Sequence, residues 1–372
     1  MDPRRQFCHN AECPARGRVG EGNIGVHSAA ERRYICRACG RTFAATKGTP
    51  FYRLKKGADL VTLVLTLLCH GCPIQAVVAA FGLDERTVAE WQGRAGAHCE
   101  RVHAHLVQQG GVDLGHVQAD ELWAKVVGGK VWMAMALAVP SRLWLGGVVS
   151  AKRDEALIRS LVAMVAACAA SFGVLVCVDG LASYVTAFAR AFRHPLRTGK
   201  RGRPRLLPDP RFLMGQVVKS YAKRRVKGVA QRAVRGTAGA IAARLKAVGG
   251  GSQINTSYIE RLNATFRACL APLARRGRAL ARRQATLTAG MYTVGCAYNF
   301  CWYHYSLRRP TPAGAPLKWR ERTPAMAAGL ADHRWTMSEL LHYRVPLPAW
   351  APPKRRGRPP KQPLLPTLAV AA

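Results

Sequence analysis

Three carboxylates and four cysteines in this chain have the types and spacing to do chemistry. Asp120 lies in an alternating run, Val117-Gln118-Ala119-Asp120-Glu121-Leu122-Trp123, that reads as a strand. Asp179 ends a β-branched run over residues 174–178. Glu260 sits in the helical pattern Tyr258-Ile259-Glu260-Arg261-Leu262-Asn263 and is the only acid between Asp209 and Glu321. Surface solvation explains one carboxylate in so basic a stretch poorly. Acids converging from two adjacent strands and a helix could hold two Mg²⁺ (or Mn²⁺) ions about 3.5–4 Å apart. Such a pair activates an attacking oxygen and stabilises a leaving one in phosphodiester displacement. Plainer roles exist for each acid. Asp120-Glu121 could be a surface pair, Asp179-Gly180 a turn, and Ser257-x-x-Glu260 a capping box, which would not exclude metal contact.

The cysteines point to a second metal. Cys8-x4-Cys13 is followed after 22 residues by Cys36-x2-Cys39 and then Gly40-Arg41-Thr42-Phe43. Two pairs at this separation can close four thiolates into a tetrahedron around Zn²⁺, whose binding supplies folding energy that so short a segment lacks. His9 and His27 are possible substitutes without the second pair's spacing. Gly20-x-Gly22-x-x-Gly25 matches a dinucleotide fingerprint in letters only, since no apolar strand precedes it. Cys69-His70-Gly71-Cys72 could be a redox pair or part of another metal site. No thioredoxin-like βαβ pattern surrounds it, so it reads as buried thiols.

Charge names the partner class. The 372 residues carry 57 Lys+Arg against 20 Asp+Glu, a formal charge of +37. Residues 181–320 concentrate it, with 28 basic side chains and two acidic ones, Asp209 and Glu260. A polyanion would screen this field, and nucleic acid is the obvious one. The segments Lys200-Arg201-Gly202-Arg203-Pro204-Arg205 and Arg355-Arg356-Gly357-Arg358-Pro359-Pro360-Lys361 share an Arg-Gly-Arg-Pro core. Both resemble the AT-hook motif, in which extended Arg-Gly-Arg lies in a narrow minor groove, so Arg201, Arg203, Arg356 and Arg358 are expected DNA contacts. The alternatives are a basic loop and a Pro-rich tail. The opening MDPRRQFCHN has no apolar core of a secretory signal, so a reducing cytoplasmic setting is expected. The uncharged stretches 161–178 and 284–307 read as helix-turn-strand and buried helix rather than membrane spans.

Four regions must position these groups. Residues 1–50 form a zinc ribbon. Residues 58–105 read as helices over 59–70 and 73–81, a Gly82-Leu83 turn, and a third helix from Asp84 or Glu85 through Trp91. That describes a helix-turn-helix, with Arg86, Thr87, Glu90 and Arg94 towards the major groove. An ordinary helical bundle is the alternative. Residues 112–310 carry strands over 116–126, 131–139 and 143–151, a helix over 154–170 and the strand 174–178. Three antiparallel strands, a helix and a parallel strand beside the first make an α/β core with an RNase H-like mixed sheet, interrupted by a basic insertion over 181–255. Residues 311–372 are a basic, Pro-rich tail.

The ordered set resembles the bacterial insertion-sequence transposases with a DDE triad, most closely the insertion-sequence-one type. The resemblance rests on the zinc pairs with Arg-Thr-Phe, the helix-turn-helix, Asp120-Glu121-Leu122-Trp123 and Val178-Asp179-Gly180 with Tyr184. It continues through Ile259-Glu260-Arg261-Leu262-Asn263 with Arg267, the Arg275 to Arg283 cluster, and Tyr298-Asn299-Phe300 with His304. It implies Asp120, Asp179 and Glu260 as the catalytic triad on Mg²⁺ or Mn²⁺, with the N-terminal modules on the element's ends. Asn263 and Arg267, at i+3 and i+7 from Glu260, would face DNA phosphates. The expected partner is double-stranded DNA, both element ends and target, held by a homo-oligomer with no membrane involved. The rival classes are a non-catalytic DNA-binding protein derived from a transposase, an RNase H-like nuclease or resolvase, and a zinc-ribbon transcription factor.

Overall fold

A computed structural model describes residues 1–109, 111–197, 199, 201–223, 225–274, 283–312 and 314–352. The chain divides into two compact units, Met1–Ala45 with the described residues from Pro346 onward, and Thr46–Val345. The small unit is an antiparallel sheet of β1 (Ile24–Ser28), β2 (Arg33–Cys36) and β3 (Thr42–Ala44). Its core is Ile24, Tyr34 and Phe43 closing on the cysteines. So few apolar side chains give little burial energy, which leaves folding dependent on whatever joins the thiols.

The larger unit opens with α1 (Ala58–Cys69), α2 (Ile74–Phe81) and α3 (Glu85–Leu106). Val61, Val64, Leu65 and Leu68 recur at helical spacing on α1 and bury against Val77, Leu83, Val88 and Trp91. Asp84 caps α3 by accepting from the backbone N–H of Arg86 at 2.9 Å and Thr87 at 3.2 Å. The helix then runs 22 residues, well past Trp91.

A six-stranded mixed sheet follows, built from β4 (His116–Val126), β5 (Gly129–Ala138), β6 (Leu143–Ser150) and, after α4 (Glu155–Cys168), β7 (Leu175–Asp179). Next come α5 (Ala182–Ala191), a small hairpin of β8 (Arg193–Leu196) with β9 (Arg205–Pro208), and β10 (Leu213–Ala222) with β11 (Arg225–Arg235). The strand order is β11-β10-β7-β4-β5-β6. β4, β5 and β6 pair antiparallel, while β7 is parallel to both β4 and β10. The stretch expected to be a basic insertion therefore supplies two of the six strands. Residues 213–217 are buried in the sheet, and the chain beyond them is exposed and basic, so its charge masked an apolar strand start.

The sheet is covered by α6 (Ala238–Ala247), α7 (Ser257–Cys269) and α8 (Gln284–Cys296) on one side, and by α4 and α5 on the other. The distal half of α3 packs on α8 at Gly96, where a Cβ would sit 2.4 Å from the Cα of Ala289. This contact joins the helical segment to the sheet domain in one unit. Beyond α8 the chain makes a π-helical turn, Ala297–Cys301. It buries Asn299, whose amide accepts from the Trp144 N–H and donates to its C=O, both at 2.9 Å. Asn299 thus satisfies the β6 backbone beside the register shift between Ala136 and Leu137. Among the described residues, no helix is long and apolar enough to cross a membrane.

Candidate functional site

The parallel register of β4 and β7 pairs Ala119 with Val178, which sets Asp120 and Asp179 at the same level of adjacent strands. Strand alternation then sends Asp120 to the face covered by α7 and Glu121 to the opposite face. Carboxylate oxygens of Asp120, Glu121 and Asp179 lie within 4.8 Å of one another. Three carboxylates so close repel each other. Burial first, then Glu121, Asp179 and Glu260, push the Asp120 carboxyl from its ordinary 3.8 up to about 7.

The positioning of α7 follows from one residue of β4. Thr256, at the helix start, makes no side-chain cap. The Oε1 of Gln118 instead accepts from the N–H groups of Tyr258 and Ile259, both at 3.0 Å. Its Nε2 donates to the carbonyl of Asn255 at 2.8 Å and to that residue's Oδ1 at 3.1 Å. A buried strand glutamine thus performs the capping that a helix N-terminus requires. One turn on, Asn263 is buried and donates from Nδ2 to Oδ2 of Asp120 at 2.8 Å.

Glu260 occupies the same helix, outside the close group. Its Oε1 accepts from Lys219 Nζ of β10 and from the Thr256 hydroxyl, each at 3.1 Å. The capping box that is the alternative role for Glu260 does not form, because Ser257 is already helical and its hydroxyl donates to Asn255. The carboxylate also holds the Lys219 ammonium above its ordinary value.

Glu121 is not a surface residue, since its side chain is fully enclosed. Its Oε1 accepts from Arg153 Nε at 2.6 Å and from Arg153 Nη2, and its Oε2 accepts from the Tyr184 hydroxyl at 2.8 Å. Arg153 also reaches within 3.8 Å of Asp179. Sequence reasoning did not foresee the partners Arg153 and Lys219. For Glu121 the signal was present, because alternation with a core-facing Asp120 had to send it into the opposite buried layer.

The thiols of Cys8, Cys13, Cys36 and Cys39 also lie within 4.8 Å of one another. Cys8 and Cys39 are 3.6 Å apart, and Cys13 and Cys36 are 3.8 Å apart. A tetrahedron with metal–sulfur bonds of 2.3 Å has edges of about 3.8 Å, so the four sulfurs fit one zinc-sized ion. Gly40, at φ 66°, turns the knuckle so that its N–H reaches the Cys36 carbonyl at 2.8 Å. Burial opposes it, but the Arg41 backbone, Cys13 and Cys8 bring the Cys39 thiol down to about 7.

The expected nucleic-acid contacts divide. Arg86 is exposed and Thr87 half-buried at the start of α3. Arg94 is committed elsewhere, with Nε and Nη2 on Glu90 at 2.9 and 2.6 Å and Nη1 on the Tyr52 carbonyl at 2.7 Å. Arg201 and Arg203 are exposed in the loop between β8 and β9, and Arg267 is half-buried on α7. Arg356, Arg358 and the arginine cluster up to residue 282 lie outside the described residues. Neither a protein-family model nor a curated relative matches the chain.

Proposed function

We propose that this chain is a DNA transposase of the DDE type, cutting phosphodiester bonds at element ends and joining the freed 3′-hydroxyls to target DNA. The observation that carries this reading is the meeting of Asp120 and Asp179 on adjacent parallel strands beneath a helix bearing Asn263 and Glu260. Three antiparallel strands, a helix and a parallel strand beside the first also support an RNase H-like core. α2, the Gly82 turn and α3 would form the helix-turn-helix, with Arg86 and Thr87 towards DNA. The residues fit a hard cation, being clustered oxygen donors, with Asp120 raised by burial first and then by its carboxylate neighbours. Bound there, Mg²⁺ or Mn²⁺ would supply Lewis acidity for in-line displacement at phosphorus.

The chain's own groups have separable tasks. Asp120 and Asp179 would hold the cation, and Glu260, now paired with Lys219, would be the third donor. Asn263 fixes the Asp120 carboxylate, and the Arg153–Glu121–Tyr184 network braces β4 against α5. The exposed basic ribbon of β10 and β11 and the Arg201–Arg203 loop offer phosphate contacts. The four-cysteine centre would hold Zn²⁺ in the small unit, and a homo-oligomer would pair two DNA ends in a cytoplasmic setting.

One observation favours a second reading. Lys219 and Arg153 already contact Glu260 and Asp179, as they would in a DNA-binding protein that had lost catalysis. DNA flanking the gene, incubated with the zinc-loaded protein and Mg²⁺, separates the two. Transposition predicts a nick leaving a 3′-hydroxyl, then its transfer to plasmid, both absent in Asp120→Asn while DNA binding persists. Binding without any metal-dependent nick would leave only the second reading.

A further inference from the structure

Beside the acidic site, α7 presents a different chemistry. Tyr258, Arg261 and Thr265 line a pocket of about 410 Å³ with Arg142, Tyr298 and Trp302. Tyr303, His304 and Tyr305 continue from it into a second cavity of about 860 Å³ bounded by Arg308, Trp319 and Arg334. Aromatic rings and guanidinium groups alternate along this groove. Arg142 lies 4.0 Å from the centroid of Tyr258, and Arg334 lies 4.4 Å from that of Tyr303. Arg308 is sandwiched between Tyr305 at 3.8 Å and Trp319 at 4.2 Å.

Folding uses part of this set, since Arg142, Arg322 and Arg334 donate to the carbonyls of Val139, Met326 and Cys301, but it leaves Tyr303 and Tyr305 open to solvent. Tyr305 is 74% exposed and Tyr303 43%, although an arginine lies against each ring. Arg309 and Arg320 stand directly opposite one another in a two-residue antiparallel pair, where like charges destabilise. Burial and those two charges hold the Arg322 guanidinium below its ordinary value. Among the described residues, no carboxylate lies within salt-bridge distance of Arg308, Arg309, Arg320 or Arg322. The groove therefore offers open π-faces beside arginines that no described carboxylate pairs, although Glu321 and Asp332 also line the second cavity. Unpaired nucleotides match both, through base stacking on the rings and phosphate on the arginines. A duplex, whose bases are already stacked, matches only the charge.

We propose that this groove binds the unpaired nucleotides of a DNA single strand, with a base stacked on the open face of Tyr305. The inference rests on the DNA reading above for the identity of the polymer, but not on catalysis. Its test uses the full-length zinc-loaded protein without added Mg²⁺, with fluorescent oligothymidylate and a duplex of equal length, at raised salt. Tyr305→Ala should weaken oligothymidylate binding about tenfold, with roughly twofold or smaller loss on duplex, and Tyr305→Phe should keep the wild-type affinity. In a parallel measurement on the unmutated protein, 5-iodouracil in the single strand should photocrosslink to peptides containing Tyr303, Tyr305 or Trp319. Equal losses on both DNAs, no loss on the single strand, or crosslinks confined to other segments would each overturn the groove assignment. If duplex still binds in those cases, the proposed function stands; if neither DNA binds, both fall.

Discussion

The side-chain amide of Asn263 donates to the Asp120 carboxylate across 2.8 Å, tying the helix that carries Glu260 to the strand that carries Asp120. Asn263 is buried, and its Oδ1 has no hydrogen-bond partner among the described residues. The amide therefore serves the acid's orientation more than its own satisfaction.

Asn263→Ala should consequently raise the Mg²⁺ concentration needed for DNA cleavage, or lower the rate, by roughly 10–100-fold, the usual loss for a group that orients a metal ligand. A metal titration of the cleavage reaction reads this. An unchanged metal dependence with lowered stability would reduce Asn263 to packing.

The raised Asp120 carboxyl sets a pH dependence. In the metal-free protein the folded state keeps a proton that the unfolded chain releases between its ordinary 3.8 and about 7. Stability from this group therefore falls as pH rises across that window. A divalent cation displaces the proton, so its stabilising effect grows with pH. Mg²⁺ should raise the melting temperature little at about pH 5.5 and more at about pH 8, by about 2–4 °C for each kcal/mol of binding linkage. Asp120→Asn should remove most of this difference. A metal response independent of pH in thermal melts would contradict the assignment.

Gln118 joins two elements through the helix N-terminus. Replacing it in Gln118→Leu leaves the Tyr258 and Ile259 N–H groups without their acceptor, at roughly 1–3 kcal/mol for a buried donor. Denaturant unfolding should show that loss. Cleavage should fall as well, because Glu260 and Asn263 lose their register on Asp120. Full activity in the folded variant would show that α7 is held by its apolar contacts alone.

Much of this architecture is legible in the sequence, for physical reasons. The strand over 116–126 alternates, the acid at 179 closes a β-branched run, and the helix over 154–170 begins at a capping aspartate, so local patterns agree with the fold. Hidden from sequence were relationships between distant residues. Lys219 looked like one more cation in a basic stretch, yet it lies on a sheet strand facing Glu260. Gln118 carried no signal, since capping from a neighbouring strand leaves no local motif. Arg94 sat at a reading position by helical spacing, but Glu90 and the Tyr52 carbonyl occupy it.

The small unit should depend on its metal. Purified protein should carry roughly one zinc per chain at the four-cysteine centre. Cys36→Ser or a strong chelator should release it and unfold this unit, seen as loss of near-ultraviolet dichroism, while melting of residues 46–345 changes little. Full zinc content in Cys36→Ser, or an unaltered spectrum after zinc removal, would argue against a structural ion.

The central claim is that Asp120 and Asp179 share a divalent cation, and anomalous diffraction from crystals soaked in Mn²⁺ tests it most directly. The predicted result is a manganese peak about 2.1–2.2 Å from carboxylate oxygens of both residues, absent in Asp120→Asn. A fully soaked crystal with Arg153 and Lys219 still on their carboxylates and no peak between the two aspartates would contradict it.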